Sequence, residues 1–473
     1  MILNLVLAVV GAALVGLPAH WFRIDSATCA AWPSVEIGVS CAVVYAAGVA
    51  LLTVAWVRIA LSPVRSPTSL RWVVLGGVVV HLVSLVGLPY LSQDPLFYAA
   101  VGRSMTVHGA GPGQPLSQVL PPDDPFLAPM PATWRDGTSP YGPGFHLVAR
   151  AVAAIGGGEL WLHLRLYQVI GLLCMLAAAL IVAAAARRPH DDDADPGAPA
   201  RAAALVLFCP LAVVEGTQSG HNDGFIAVAT AGFAWAFARR RPALGTAALV
   251  TGLLTKLSAL LWIGVNLVQI AADRWRRIAR DRRAHLYWAG VALAAAAVAL
   301  LAFAQREWLL AQLRRVTALL DDPNASLPYC TRSIECLPRA LLRWWSGDRW
   351  ASWALGLGFR VVAGIWLVFM AVRSHEPDRR LGGLATALVI FYLYLHAWAQ
   401  SWYLLPLLPL LPFVDRARRA PMLVYCVTAT LYYALTLPLG CPKGELWVGI
   451  SEILETIVTI VPPTLVLARR RSA

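Results

Sequence analysis

The stretch RRRPALGTAALVTGLLTKLSALLWIGVNLVQIAADRWRRIARDRR, residues 239–283, decides how the chain is threaded. Its apolar middle, residues 243–271, is long enough to cross a bilayer, which takes about 20 apolar residues in a helix. Both ends carry arginine clusters, and short cytoplasmic loops collect Lys and Arg. A single crossing would put the six arginines of DRWRRIARDRR outside and invert every later segment. The stretch is therefore expected to enter and return as two short helices, each reaching about 18–20 Å. The apex falls near Gly252–Lys256.

Working outward, the 473 residues are 58% hydrophobic and 14% charged, against about 45–50% and roughly 25% in soluble domains. That excludes a soluble enzyme, a disordered chain and a secreted disulfide scaffold. The net charge of +13 lies in clusters between apolar runs (Arg58/Arg65/Arg71, Arg187/Arg188/Arg201, Arg239–Arg241, Arg274–Arg283, Arg373–Arg380, Arg416–Arg419 and Arg469–Arg471). It reads as membrane topology, not as a nucleic-acid surface. With every cluster cytoplasmic, the apolar runs alternate consistently and both termini lie inside. The first run, 1–19, has no basic segment before it and reads as an anchor, not a cleaved signal.

The expected fold is an all-α polytopic membrane protein with about 12–14 transmembrane segments, one of them a short hairpin. A single domain covers 1–473, with additional N-terminal helices in 1–60 and long outer loops at 92–160 and 305–350. The second loop opens with REWLLAQLRRVTALL, whose Trp308, Leu309, Leu313, Val316 and Leu320 share a face and suggest an interfacial helix. Cys41, Cys174, Cys209 and Cys426 sit in apolar runs, whereas Cys330 and Cys336 share the second outer loop, where a disulfide is possible. No CxxC pair and no carboxylate cluster demands a metal, so no cofactor is expected, with a divalent cation left open.

Four polar clusters fall on the outer face under this topology. In LSQDPLFYAAVGRSMTVHG, Asp94 precedes Pro95, with Tyr98 one turn on. Asp94 reads either as a helix cap or as a carboxylate able to take a proton from a sugar hydroxyl. In DDPFLAPMPATWRDGTSPYGPGFHL, Asp124, Trp134, Arg135, Asp136 and Tyr141 stand out. Aromatic faces suit sugar rings and Arg suits phosphate, although a rigid Pro/Gly loop explains the composition as well. In EGTQSGHND, Glu215, His221, Asn222 and Asp223 form either an anion-binding helix start or a simple polar turn. Lys256 is the lysine inside an apolar run, and an ammonium buried there needs a partner. A lipid-linked phosphate or a snorkelling geometry would both satisfy it. In HAWAQSWYLLPLLPLLP, His396, Gln400, Trp402 and Tyr403 end a span, with an aromatic belt as the plainer account.

SQDPLFYAAVGR, DDPFLAPMPATWRDGTSPYGP, SGHNDGFIAVATAGFAWAFARRRPALGTAALVTGLLTKLSALL and QSWYLLPLLPL, between about residues 85 and 415, carry a resemblance. The chain resembles the polyprenyl-phosphomannose-dependent α-1,6-mannosyltransferases, membrane glycosyltransferases of the GT-C class that extend lipomannan cores. The run of DPF, WRD and PYGP is the more specific part. HND followed by a lysine is shared with wider GT-C relatives.

The resemblance implies inverting transfer of mannose from a polyprenyl-phosphate donor to a mannan or lipoglycan acceptor, at the extracytoplasmic face of the plasma membrane. It maps the family's catalytic acid onto Asp94, although Pro-Leu-Phe stands between Asp94 and Tyr98 where the family has a short acidic-aromatic run. Arg103, Arg135, His221, Asn222 and Lys256 become candidates for the donor phosphate. Tyr98, Asp124, Trp134, Tyr141, Asp223, His396, Gln400, Trp402 and Tyr403 become candidates for the sugars. Partners would be membrane lipids, the donor and the acceptor, with no nucleic acid. Arabinose or glucose in place of mannose, a phosphatidylinositol mannoside as acceptor, and a flippase for a lipid-linked sugar are the alternatives. The absence of an internal repeat speaks against the last.

Overall fold

The computed structural model describes residues 2–20, 35–61, 69–130, 132–187, 195–274, 349–395, 400–439 and 445–469, with isolated helical positions between 292 and 338. Among the described residues every regular element is helical. The helices are α1 (Ile2–Gly16), α2 (Val35–Leu61), α3 (Ser69–Ser84), α4 (Asp94–Val107), α5 (Ala132–Arg135), α6 (Pro143–Gly156), α7 (Leu160–Ala186), α8 (Ala198–Leu207), α9 (Asp223–Ala238), α10 (Pro242–Leu253), α11 (Ala259–Arg274), α12 (Arg349–Arg373), α13 (Pro377–Ile390), α14 (Arg416–Leu431), α15 (Tyr433–Leu439) and α16 (Glu445–Arg469). The expected second outer loop with its interfacial helix, Cys330, Cys336 and His396 lie outside the described residues.

Among the described residues four helices are long and apolar enough to cross a membrane: Ile2–His20, Ile37–Ala60, Leu160–Ala186 and Ala354–Arg373. Apolar side chains such as Val361, Val362, Ile365 and Val368 on α12 are exposed, as a lipid-facing surface requires. Where no water drives association, helices in a membrane pack through small residues. α1 and α2 meet at Gly11 and Gly48, where a Cβ on either would stand 2.8 Å from the other's carbonyl oxygen.

The hairpin is present. Asn266 Nδ2 donates to Thr246 Oγ1 at 3.2 Å across twenty positions, which one continuous helix would separate by about 30 Å. α10 and α11 therefore run antiparallel, and their turn, Leu254–Ser258, carries Lys256. The segment entering α6 docks on that turn. Gly142 N–H donates to Thr255 O at 2.7 Å and Phe145 N–H to Leu254 O at 3.0 Å. A Cβ at Gly142 would lie 2.6 Å from the carbonyl oxygens of Leu253 and Leu254, so this approach needs glycine.

Three further apolar segments are irregular. Residues 201–215 become α8 and a π-helical segment, Ala212–Gln218, bent 63° from it. Residues 420–438 fall in two helices, α14 and α15. Ser401–Phe413 is a 3-10 helix with Pro406, Pro409 and Pro412 inside it. Proline every third residue repeats once per turn of a three-residue helix, so the missing N–H groups line one side.

These connections sort the charges. α9 runs from Asp223 to Ala238, and Arg239–Arg241 follow it. α10 returns to Lys256, and α11 runs back to Asp273, which pairs with Arg380 at 3.2 Å. The 3-10 helix runs from Ser401 toward Asp415 and Arg416. One end of the bundle thus gathers arginines, and the other gathers Asp223, Lys256 and Ser401.

Candidate active site

α4 starts because Pro95 occupies its first turn, where a missing N–H costs nothing. Gln93 is the N-cap, and Asp94 is the first helical residue without capping the helix. This corrects the capping alternative for Asp94. The 6% exposed residue instead turns its carboxylate to the bundle. Tyr98 OH donates to Asp94 Oδ2 at 3.2 Å, as an i, i+4 pair can.

His221 completes that contact. Its Nδ1 is 3.3 Å from Asp94 Oδ2 and its Nε2 is 3.2 Å from Glu215 Oε2. Both contacts are ionic rather than aligned hydrogen bonds. The turn that brings the imidazole back over Glu215 passes through Gly220 at φ +64°, a conformation glycine adopts freely. It is closed by His221 N–H donating to Glu215 O at 3.1 Å. Trp402 stacks on the imidazole, centroids 4.0 Å apart and planes 17° apart.

Asp223 opens α9 beside this group and accepts from Lys256 Nζ at 2.9 Å. Asp223 is buried and the Lys256 side chain is 12% exposed, so the pair sits at the edge of the packed interior. The ammonium lies 4.6 Å from the Tyr403 ring centroid and 6.0 Å from that of Tyr141. Tyr98 packs edge-on against Tyr141, Phe145 and Tyr167. Asn222 is buried between His221 and Asp223, and neither its Oδ1 nor its Nδ2 has a hydrogen-bond partner. Such an amide costs free energy unless something else pairs with it.

Burial would push the Asp94 carboxyl up, but His221, the Lys256 charge and the Tyr98 hydroxyl outweigh it and hold it below the usual carboxylate value. Burial would lower His221, but Asp94 and Glu215 outweigh it and push it up to about 9. His221 is therefore held as an imidazolium at neutral pH, between Asp94 and Glu215.

The other expected site residues lie elsewhere or are otherwise engaged. Arg103 Nε donates to Asp124 Oδ2 at 2.9 Å and its guanidinium covers the Phe126 ring at 4.7 Å. Asp124 Oδ1 accepts from Phe126 N–H. Arg135 is tied to the carbonyls of Met130 and Ala128, both at 2.8 Å. Trp134 packs edge-on against Phe97, and Asp136 accepts from Ser117. Gln400 is buried at the start of the 3-10 helix. Among the described residues no three His, Cys, Asp or Glu side chains are arranged to hold a metal ion.

Glu215, seen in the EGTQSGHND cluster but given no role in the site, and Ser401, not singled out in the sequence, are further participants. Glu215 has no exposure, and Ser401 Oγ donates to its Oε1. The signal was a glutamate inside the apolar run LAVVEG, six positions before the histidine.

A helical bundle that crosses a membrane and gathers carboxylates, an imidazole and an ammonium at one end has the frame of a membrane-embedded enzyme. Residues 2–272, more than half of the chain, match the alpha-(1->6)-mannopyranosyltransferase family (MptA/B) in its N-terminal domain. The chain belongs to this family and is a mannosyltransferase of the α-1,6 type. No curated protein matches it significantly.

Proposed function

We propose that the chain transfers mannose, with inversion, from a β-linked polyprenyl-phosphate donor to a mannan or lipoglycan acceptor, as a GT-C enzyme. The observation that carries this reading is the Asp94 carboxylate beside the Lys256–Asp223 pair, at the arginine-poor end of the bundle. Since arginine-rich loops stay cytoplasmic, that end faces outward across the plasma membrane, with both termini inside.

In the reaction, an acceptor hydroxyl attacks C1 of the mannosyl phosphate. The C1–O bond to phosphate breaks as the new glycosidic bond forms, and the hydroxyl proton passes to Asp94. A depressed carboxylate is a modest base but stays ionised, and the attacking oxygen becomes acidic as the bond to carbon forms. The phosphate leaves with its electron pair and needs positive charge and N–H donors around it. An ammonium has three N–H donors. Asp223 takes one from Lys256, so two remain for phosphate oxygens. The unpaired Asn222 amide offers one donor and one acceptor to the donor group. Tyr141, Trp402 and Tyr403 give the sugars apolar faces. Arg103 and Arg135 serve here by shaping the loop.

The test is sugar transfer by the full chain in nanodiscs, with radiolabelled polyprenyl-phosphomannose and a short α-mannoside. Transfer by the wild type and its loss in folded Asp94→Asn are expected. Donor binding without transfer by the wild type would instead favour a flippase, and full activity of Asp94→Asn would overturn Asp94 as the base.

A further inference from the structure

The reaction written above uses Asp94, Lys256 and Asn222 and leaves Glu215 without a task. Yet Glu215 is fully buried in the π-helical segment, inside an otherwise apolar stretch. A carboxylate there is costly unless paired. One oxygen of its side chain leads through His221 to Asp94, and the other is held by Ser401. Oε2 lies 3.2 Å from His221 Nε2, and His221 Nδ1 lies 3.3 Å from Asp94 Oδ2. Oε1 accepts from Ser401 Oγ, and that hydroxyl lies 3.4 Å from Tyr433 OH. Trp402 covers one face of the imidazole. The row Ser401–Glu215–His221–Asp94 draws on four elements: the 3-10 helix, the π-helical segment, the turn before α9, and α4.

The chemistry of the row is one-sided. A neutral imidazole has one N–H and one lone pair. With a carboxylate oxygen against each ring nitrogen, it would turn that lone pair on one of them. Only the imidazolium suits both contacts. The groups facing it are Asp94 with Tyr98 from α4, Glu215 from the π-helical segment, Trp402 from the 3-10 helix, and Asp223 with Lys256 beside it. With Asp94 as its sole anion, the imidazolium would spend its whole charge there and weaken the base. A second carboxylate divides that charge and stops the ring from turning.

We propose that Glu215 is a positioning residue for the transfer: through His221 it fixes the Asp94 carboxylate and keeps it basic enough to take the acceptor proton. This rests on the reading of Asp94 as the base. No atom of Glu215 touches substrate, and the row moves no proton of its own during the transfer.

The test compares wild type, Glu215→Gln, Glu215→Asp and Asp94→Asn as full chains in nanodiscs, each checked for monodispersity and thermal unfolding. kcat and KM for the donor are measured across pH. Glu215→Gln keeps the volume and a hydrogen bond to Ser401 but loses the charge. Its kcat is expected to fall about tenfold to a hundredfold, with KM for the donor unchanged. The alkaline limb of kcat is expected to move from about 9 toward the ordinary histidine value of about 6.5. Glu215→Asp is expected to restore the limb in part. A merely structural Glu215 would lower activity with no movement of the limb, and that result overturns the proposal, as does an unchanged kcat. Activity in Asp94→Asn would overturn the underlying reading instead, so the two failures are distinguishable.

Discussion

Arg103–Asp124 and Lys256–Asp223 are ion pairs of the same length, 2.9 Å, and they are built for different ends. In the first, Asp124 also takes the Phe126 N–H and Arg103 lies on the Phe126 ring, so the pair folds its loop onto itself. In the second, Lys256 sits on a hairpin turn and Asp223 on the first turn of α9, beside Asp94 and an Asn222 amide with both polar atoms unpaired. A charged pair whose neighbours are all satisfied holds structure together. One with unsatisfied buried groups beside it is open to a ligand.

The sharpest way to break this contrast is to neutralise a carboxylate in each region. Asp94→Asn is expected to lower kcat about 10²–10⁴-fold, the range for a positioned base. Asp124→Asn is expected to leave kcat within a few-fold of wild type, by the transfer assay described above. A large kcat loss in Asp124→Asn would erase the distinction.

Stability separates the regions next. Lys256→Met leaves Asp223 buried without its cation, which costs about 3–5 kcal/mol. Adding Asp223→Asn removes the stranded charge, and denaturation of the double variant in nanodiscs is expected to recover most of that loss. Arg103→Ala, at the partly exposed pair, is expected to cost about 1 kcal/mol.

Dependence on pH follows from the two shifted groups. His221 is raised to about 9, so its contribution is complete below its ordinary value of 6.5 and is lost as pH rises through about 9. Asp94 is lowered, so its contribution is present above its ordinary value of 3.8 and is lost as pH falls through the depressed one. Thermal unfolding is expected to be flat between these ordinary values and to decline from there to about pH 9. Glu215→Gln is expected to make that decline shallower and to end it at a lower pH, and an unchanged profile would mean that Glu215 does not hold the imidazolium. The smallest effect is the same scan on Arg103→Ala, whose alkaline limb is expected to match the wild type.

Several features were legible along the chain because their causes are local. Desolvating an arginine is costly wherever it sits in sequence, so the clusters flanking residues 243–271 dictated a hairpin, and α10 and α11 form one. The composition dictated an all-helical membrane protein, since backbone groups in lipid must be paired within a segment. The residue types near 94, 141, 221, 256 and 402 stood out because polar groups are scarce in such a chain. Most of residues 305–350, His396 and the cysteines Cys330 and Cys336 lie outside the described residues.

Only the tertiary structure decided which charge meets which. Asp94 and His221 are 127 positions apart, and Glu215 and Ser401 are 186 apart; no local rule links them. Arg103 and Arg135 have the same chemistry as a phosphate clamp. In the fold Arg103 Nε is taken by Asp124, and Arg135 is tied to the carbonyls of Met130 and Ala128. Buried ionisable groups are assigned by the partners that packing leaves within about 4 Å, and packing is a property of the whole fold.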